Sequence, residues 1–279
     1  MHVLRVAILA AGFFLPALAY AQTEALPVIP KMRGTPAELL PEEKGPRRLI
    51  RFLTSPDYPP FQFLKPDQSP AGFNVDLARA ICTELEFPCT IQALPWDDLL
   101  GALENGRADA LIAGFRPSEE LRGKADLTRP YFRLPARFAV KKAGAVTEFT
   151  PQGLAGKKIA ALTGSAHEAY LKAFFPKAEI TGFPDNEAAR AALKDGKVDA
   201  LFADGAGLSL WLGGTASAGC CMFAGGPYLE SHFFGEGLVI AVRKGDNRLR
   251  QDLDRTLDEI EDKGILGNLY LRWFPIGIF

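Results

Sequence analysis

Two stretches of the chain carry the same order of apolar, turn and polar positions. Residues 102–114 read ALENGRADALIAG, and residues 192–204 read ALKDGKVDALFAD. Each begins with the Ala-Leu end of a helical pattern and breaks at Asn-Gly or Asp-Gly. Each then sets a basic residue and an acid, Asp109 or Asp199, before a short apolar run. Glycine after Asn or Asp stops a helix because it takes left-handed backbone angles without penalty. The runs Ala-Leu-Ile-Ala and Ala-Leu-Phe-Ala lack polar alternation, so each predicts a parallel strand covered on both faces. The phrase thus predicts helix, turn and buried strand twice over, and hence two α/β lobes of similar build. In open α/β sheets, ligands sit beyond the carboxyl ends of the strands. Gly114, Phe115 and Arg116 after the first run, and Asp204 after the second, are therefore the first places to look for binding chemistry.

The remaining pattern fits this plan. Residues 49–54 predict an opening strand. Residues 55–61 (SPDYPPF) predict a rigid loop whose prolines leave Tyr58 projecting. Residues 61–64 and 71–73 read as a hairpin. Asn74 is expected to cap a helix with Leu77, Ala78, Ile81 and Leu85 on one face. A strand at 90–93 precedes a helix opened by Pro95-Trp96-Asp97. Residues 116–123 form a short polar stretch, 126–132 a loop, 136–141 a strand and 143–156 a connector. Strands at 159–162 and 180–183 flank a tight turn at 163–165 and a helix over 166–175. Residues 238–242 return as a strand, and 247–263 and 266–273 close the chain as helices. This alternation predicts an α/β fold with mostly parallel sheets.

Residues 1–21 stand apart. Arg5, an apolar stretch broken by Pro16 and the small-x-small sequence Ala19-Tyr20-Ala21 predict a secretory signal peptide. The apolar run is shorter than the ~20 residues of a membrane span. Residues 22–48 carry Pro27, Pro30, Pro36, Pro41 and Pro46 and predict an extended leader. A hydrophobic fraction of 48% supports a real core, and a net charge of -1 argues against a nucleic-acid surface. Four cysteines allow three full pairings. Cys82 and Cys89, at a helix end and the next strand start, are close enough for a local bridge. Cys220 and Cys221 are left between a vicinal bridge and two small buried residues. His167 and His232 are the histidines beyond residue 21, and no nucleophile elbow, C-x-x-C, H-E-x-x-H or phosphate loop is present. Catalysis, a metal centre and a cofactor are not expected; His167, one turn into the helix after Ser165, could face the cleft but as a lone histidine reads as a polar residue on a helix surface.

One set of segments gives a resemblance. It comprises Gly72-Phe73-Asn74-Val75-Asp76-Leu77-Ala78, the first repeat, the 163–165 turn, the strand ending at Asp204, and Phe234-Gly235-Glu236-Gly237. With these the chain resembles the periplasmic solute-binding proteins of polar amino-acid ABC importers. In layout it is similar to the lysine/arginine/ornithine- and histidine-binding members, over residues 49–273. The resemblance implies the two-lobed type II periplasmic-binding-protein fold, closing on a ligand about a hinge. Residues 136–141 and 238–242 would be the crossing strands. Lobe one would comprise 49–140 and 240–279, and lobe two 141–239. Some members carry a disulfide at the spacing of Cys82 and Cys89.

The resemblance also implies a site. Tyr58 and Trp96 would sandwich the ligand side chain, and Asp204 would hold an α-ammonium; as a residue ending a strand, Asp204 could also cap a following helix, and the two roles can coexist. Gly164 and Ser165 would receive an α-carboxylate at a helix start, with Gly114 lining the pocket. The family's carboxylate-binding arginine falls on Leu121 here. Arg116, which replaces a small hydroxyl residue, is the first candidate to stand in for it, and Arg122 the second. Ala166 replaces another hydroxyl residue. Ser55 stands where cation-preferring members have an acid, so a neutral or acidic ligand is expected over a basic one. The expected function is capture of a small amino acid or carboxylate by a periplasmic monomer for uptake through an ABC permease. The alternative is a periplasmic partner or sensor of the kind that accompanies methanol dehydrogenases, of which Thr128-Arg129-Pro130-Tyr131 is reminiscent.

Overall fold

The computed structural model describes residues 48–144 and 146–279, so the expected signal peptide and all of the leader but Arg48 lie outside the described residues. The chain opens with β1 (Ile50–Thr54), β2 (Asp57–Tyr58), β3 (Gln62–Leu64) and β4 (Pro70–Ala71). It continues through α1 (Phe73–Leu85), β5 (Cys89–Ala93), α2 (Trp96–Glu104), β6 (Ala110–Phe115), α3 (Glu119–Lys124) and β7 (Ala125–Leu127). The middle holds β8 (Ala136–Lys141), β9 (Lys158–Leu162), α4 (Ala166–Phe174), β10 (Glu179–Phe183), α5 (Asn186–Lys194), β11 (Ala200–Asp204), α6 (Gly205–Gly213), β12 (Cys221–Tyr228) and α7 (Ser231–Phe234). The chain closes with β13 (Val239–Arg243), α8 (Asn247–Asp262) and α9 (Ile265–Trp273).

Two mixed sheets form, in the orders β5-β1-β6-β13-β7 and β10-β9-β11-β8-β12. β6 runs parallel to β1, and β11 parallel to β9, as the unalternating apolar runs predict. Along β6, Ala110 and Ile112 enter one core cluster while Leu111, Ala113 and Phe115 enter another. Along β11, Ala200 and Phe202 face one cluster and Leu201 the other. Each central strand is therefore covered on both faces, which makes polar residues costly at every position.

The repeated phrase performs the same task in both lobes. Gly106 and Gly196 take φ of 69° and 72°, ending α2 and α5. The backbone N–H groups of Arg107 and Lys197 then bond back to the carbonyls of Ala102 and Ala192, each at 2.9 Å. Asp109 accepts the backbone N–H of Arg51 at 2.9 Å, and Asp199 accepts that of Lys158 at 2.8 Å. Each aspartate thus fastens its own strand to the start of the neighbouring one.

Several local expectations change. β2 replaces the expected loop at Tyr58, because Asp57 and Tyr58 pair with β3 in a small three-stranded sheet. Asn74 does not cap α1; Gly72 holds that position without a side-chain bond. The Asn74 amide is instead buried, donating to Gln62 Oε1 at 2.7 Å and accepting from Tyr131 at 2.8 Å. The polar stretch after Arg116 becomes α3, capped by Ser118, and β7 takes part of the expected loop. Both Cys82–Cys89 and Cys220–Cys221 are disulfides, so the adjacent pair is bonded rather than two buried thiols.

The lobe boundary also shifts. β8, expected in lobe one as a crossing strand, pairs with β11 and β12 in the second sheet. The other expected crossing strand is β13, which pairs with β6 and β7 in the first sheet. Pairing of each strand along its length leaves neither free to span two sheets. The chain crosses just outside them, at an antiparallel bridge between Phe132 and Leu238: Leu238 N–H donates to Phe132 O at 2.7 Å, and Tyr131 N–H donates to Leu238 O at 2.8 Å. The C-terminal tail, expected wholly in lobe one, also reaches the second lobe. Ser209 on α6 donates to Ile276 O at 2.6 Å, and Arg137 on β8 donates to Ile278 O at 2.9 Å.

Candidate functional site

The site is built where the carboxyl ends of the two sheets meet. From the first lobe, Tyr58 on β2 stacks on buried Phe61, with centroids 5.1 Å apart. Gly114, near the end of β6, has φ of 81° and lies against the Tyr58 ring. Trp96 opens α2 and stacks on Phe115 at 4.4 Å, leaving 47% of its surface exposed. Each aromatic ring is thus backed on one side by a second ring. Beneath them runs a buried polar chain. Gln62 donates to Ser55 Oγ at 3.0 Å and to Ala113 O at 2.8 Å, and Asn74 and Tyr131 continue it. Ser55 is buried and occupied within this chain, which fixes the segments that carry Tyr58 and Gly114 relative to one another.

From the second lobe, Asp204 ends β11 and caps α6, accepting the Gly207 N–H at 2.9 Å. Burial pushes its carboxyl above the ordinary value, against the pull of the Gly207 and Ala206 N–H groups, Arg116 and Arg190. Arg190 donates to Gly207 O at 3.1 Å, behind this carboxylate. Tyr58 is pushed up to about 12 by desolvation and then by the charge of Asp204, with Arg116 opposing. Tyr58, Arg116 and Asp204 thus feel one another's charge across the two lobes. Arg116 is exposed, and its Cδ lies 3.7 Å from an ideal Cβ at Gly235. It therefore leans over the turn that follows α7.

Other expected residues are placed differently. Arg122 pairs with Glu236 at 3.1 Å on an exposed face. Leu121 is 4% exposed and belongs to the first-lobe core, so the residue aligned with the family arginine packs against apolar neighbours. Ser165 is spent on capping α4: its hydroxyl accepts the Glu168 N–H at 3.2 Å and donates to Leu162 O at 2.6 Å. The Gly164 N–H is taken by the Glu168 carboxylate at 2.8 Å. A ligand carboxylate at this turn must compete with that internal anion.

His167, expected on a helix surface, lies near this neighbourhood. The ring is half-buried, 5.2 Å from Phe234 and edge-on to Phe202 at 5.8 Å. Desolvation and the like charge of Arg116 push it down to about 4. Its place in the first turn of a helix that starts beside β11 is the sequence signal for it. Among the described residues, no group of three or more His, Cys, Asp or Glu is placed to hold a metal ion.

Comparison with known proteins decides the family. Residues 50–276 match the family of bacterial extracellular solute-binding proteins, family 3. The chain belongs to that family. This family-3 chain is 31% identical over 225 residues to the putative ABC transporter arginine-binding protein 2 of Escherichia coli K12, covering 81% of this chain and 90% of the relative. It is 30% identical to the L-arginine-binding protein of Pseudomonas aeruginosa, covering 82% and 89%. Among solved structures, an ancestral cationic amino-acid solute-binding protein superposes with a TM-score of 0.61 at 26% identity, covering 81% of this chain and 95% of that one. The open second substrate-binding domain of Lactococcus lactis GlnP superposes at 0.70 with 19% identity, covering 86% and 99%, and supports the type II two-lobed fold.

Proposed function

We propose that this protein captures a small amino acid or carboxylate outside the cytoplasm and presents it to an ABC permease. The observation that carries the reading is the meeting of two lobes at one polar and aromatic neighbourhood. Tyr58, Trp96 and Arg116 come from one lobe and Asp204 from the other. Closure about the Phe132–Leu238 bridge would bring these walls onto a solute. The backed aromatic faces grip without demanding one shape, while the charges set orientation. The named relatives support the transport role, and the methanol-dehydrogenase alternative draws no support from them.

One solved relative, 28% identical with a TM-score of 0.52, is described as a precursor of cyclohexadienyl dehydratase. Our reading for this chain is capture without transformation, by a periplasmic monomer. The test is a thermal-shift screen of the purified protein against the amino acids and a set of organic acids. A bound ligand raises Tm by mass action, about 2.7 kcal/mol of stabilisation at a hundredfold excess over Kd. The expected result is a shift with one ligand class, and mass spectrometry recovers that ligand unchanged. A flat panel, or recovery of a dehydrated product, overturns the reading.

A further inference from the structure

We propose that Arg116 and His167, one from each lobe, together receive an anionic group of the ligand, so that the solute selected carries an acidic rather than a basic side group. The proposal rests on the inter-lobe site being the ligand site. It begins with two polar side chains that the fold leaves unspent. Among the described residues, Arg116 makes no hydrogen bond or ion pair, and His167 makes no hydrogen bond. Both border the same turn. Arg116 passes its Cδ over Gly235, and His167 packs its ring on Phe234, one residue earlier.

The acids around this spot are committed elsewhere. On α4 itself, Glu168 is held by the Gly164 N–H and by Lys172. Ahead of α7, Glu230 caps that helix by accepting the His232 N–H. Beyond the turn, Glu236 pairs with Arg122. At the end of β11, Asp204 accepts the Gly207 N–H and lies between the charges of Arg116 and Arg190. His232 packs edge-on against Phe233. A basic side group entering here meets the guanidinium of Arg116. An acidic one gains a charge-assisted pair with Arg116, for which the planar fork is suited.

His167 adds a pH signature. In the free protein desolvation, and after it the charge of Arg116, push the imidazole down to about 4 and keep it neutral. An anion placed between them offsets the Arg116 charge and favours the imidazolium, so binding takes up a proton. Affinity for the anion then rises as the pH falls from neutral toward 5, whereas affinity for a basic solute does not.

The experiment is titration calorimetry on the purified protein with L-glutamate, L-aspartate, glutarate and L-arginine, at pH 5.5 and 7.5. The expected result is that an acidic member binds at least tenfold tighter than L-arginine, and more tightly at pH 5.5. Arg116→Ala removes at least tenfold of that affinity. His167→Gln removes the pH dependence and keeps most of the affinity. L-Arginine binding as tightly as the acids overturns the proposal and leaves the capture function standing. Unchanged pH dependence in His167→Gln, or unchanged affinity in Arg116→Ala, also overturns it. Silence from the whole panel, together with a flat thermal-shift screen, overturns the ligand-site reading and this proposal with it.

Discussion

Trp96 lies face to face on Phe115, with ring centroids 4.4 Å apart and planes 27° from parallel. Phe115 is itself fixed in the first-lobe core. The indole is thereby held rigid while its other face stays open. Trp96→Ala is expected to weaken ligand binding about tenfold, since a stacked aromatic contact contributes about 1 kcal/mol beyond its area. Tm without ligand changes little, because nearly half of the side chain is already in water. Calorimetry measures the first effect, and the loss of a ligand-induced change in tryptophan fluorescence checks that Trp96 is the reporter.

Gly114 carries two separate constraints. Its φ of 81° suits glycine, and a Cβ there would come within 2.9 Å of the Tyr58 ring. Gly114→Ala is expected to cost about 1–3 kcal/mol of stability and to weaken binding by displacing Tyr58. Tyr58→Ala in the same chain should recover the part due to the clash and none of the part due to φ. Denaturant melts of the two single variants and the double variant separate the terms.

Asp204 is predicted to oppose stability at neutral pH. Its folded-state carboxyl is raised above the ordinary value, so the folded chain binds this proton more tightly than the unfolded chain. The favourable contribution is present below the unfolded value of 3.8 and is lost as the pH rises through the raised value. Asp204→Asn keeps a capping side chain and removes the buried charge. Its Tm should equal or exceed that of the parent at pH 7, with the advantage vanishing near pH 4. If the ligand bears an ammonium group, the same variant should bind it at least tenfold more weakly.

His167 gives the opposite slope. Its folded value of about 4 lies below the ordinary 6.5, so the unfolded chain takes up a proton that the folded chain refuses between those values. Stability from this group is intact above pH 6.5 and falls as the pH drops toward 4. In His167→Gln, Tm should fall less steeply over that window, as a pH series of melting curves would show.

The Cys82–Cys89 disulfide closes a short loop between α1 and β5. Replacing both cysteines with serine is expected to cost about 2 kcal/mol, by the loop-entropy scale for so short a closure. Chemical denaturation under non-reducing conditions checks it.

The architecture was readable because the repeated phrase joins three independent signals: a helix stop, a fastening aspartate and an unalternating strand. Asp109 and Asp199 fill the same role in the two lobes. The reading weakened where tertiary partners overrode local preference. Asn74 has the sequence look of a helix cap, but Gln62 and Tyr131 claim its amide. Of the α6 segment the sequence marked only its cap, Asp204, and of β12 nothing. α6 is apolar on every side, with Leu208 and Trp211 both buried, so it has no periodic stripe to betray it. At the site, the ends of the two repeats pointed to Arg116 and Asp204, which the structure brings near one another. The 163–165 turn looked like an anion receptor in sequence. The Glu168 carboxylate, four residues on, occupies the Gly164 N–H instead.

The tail's bonds from Ile276 and Ile278 to the second lobe bear on how the molecule can bend. A pivot made from two strands twists freely about their shared axis. A third ply, anchored on α6 and β8 and set edge-on through Phe279 against Phe132, is expected to resist that twist. A fluorophore or spin label placed on this last ply would report the swing at its axis, where displacement is least. Labels on α5 and α2, at the far rims, would record it at full amplitude.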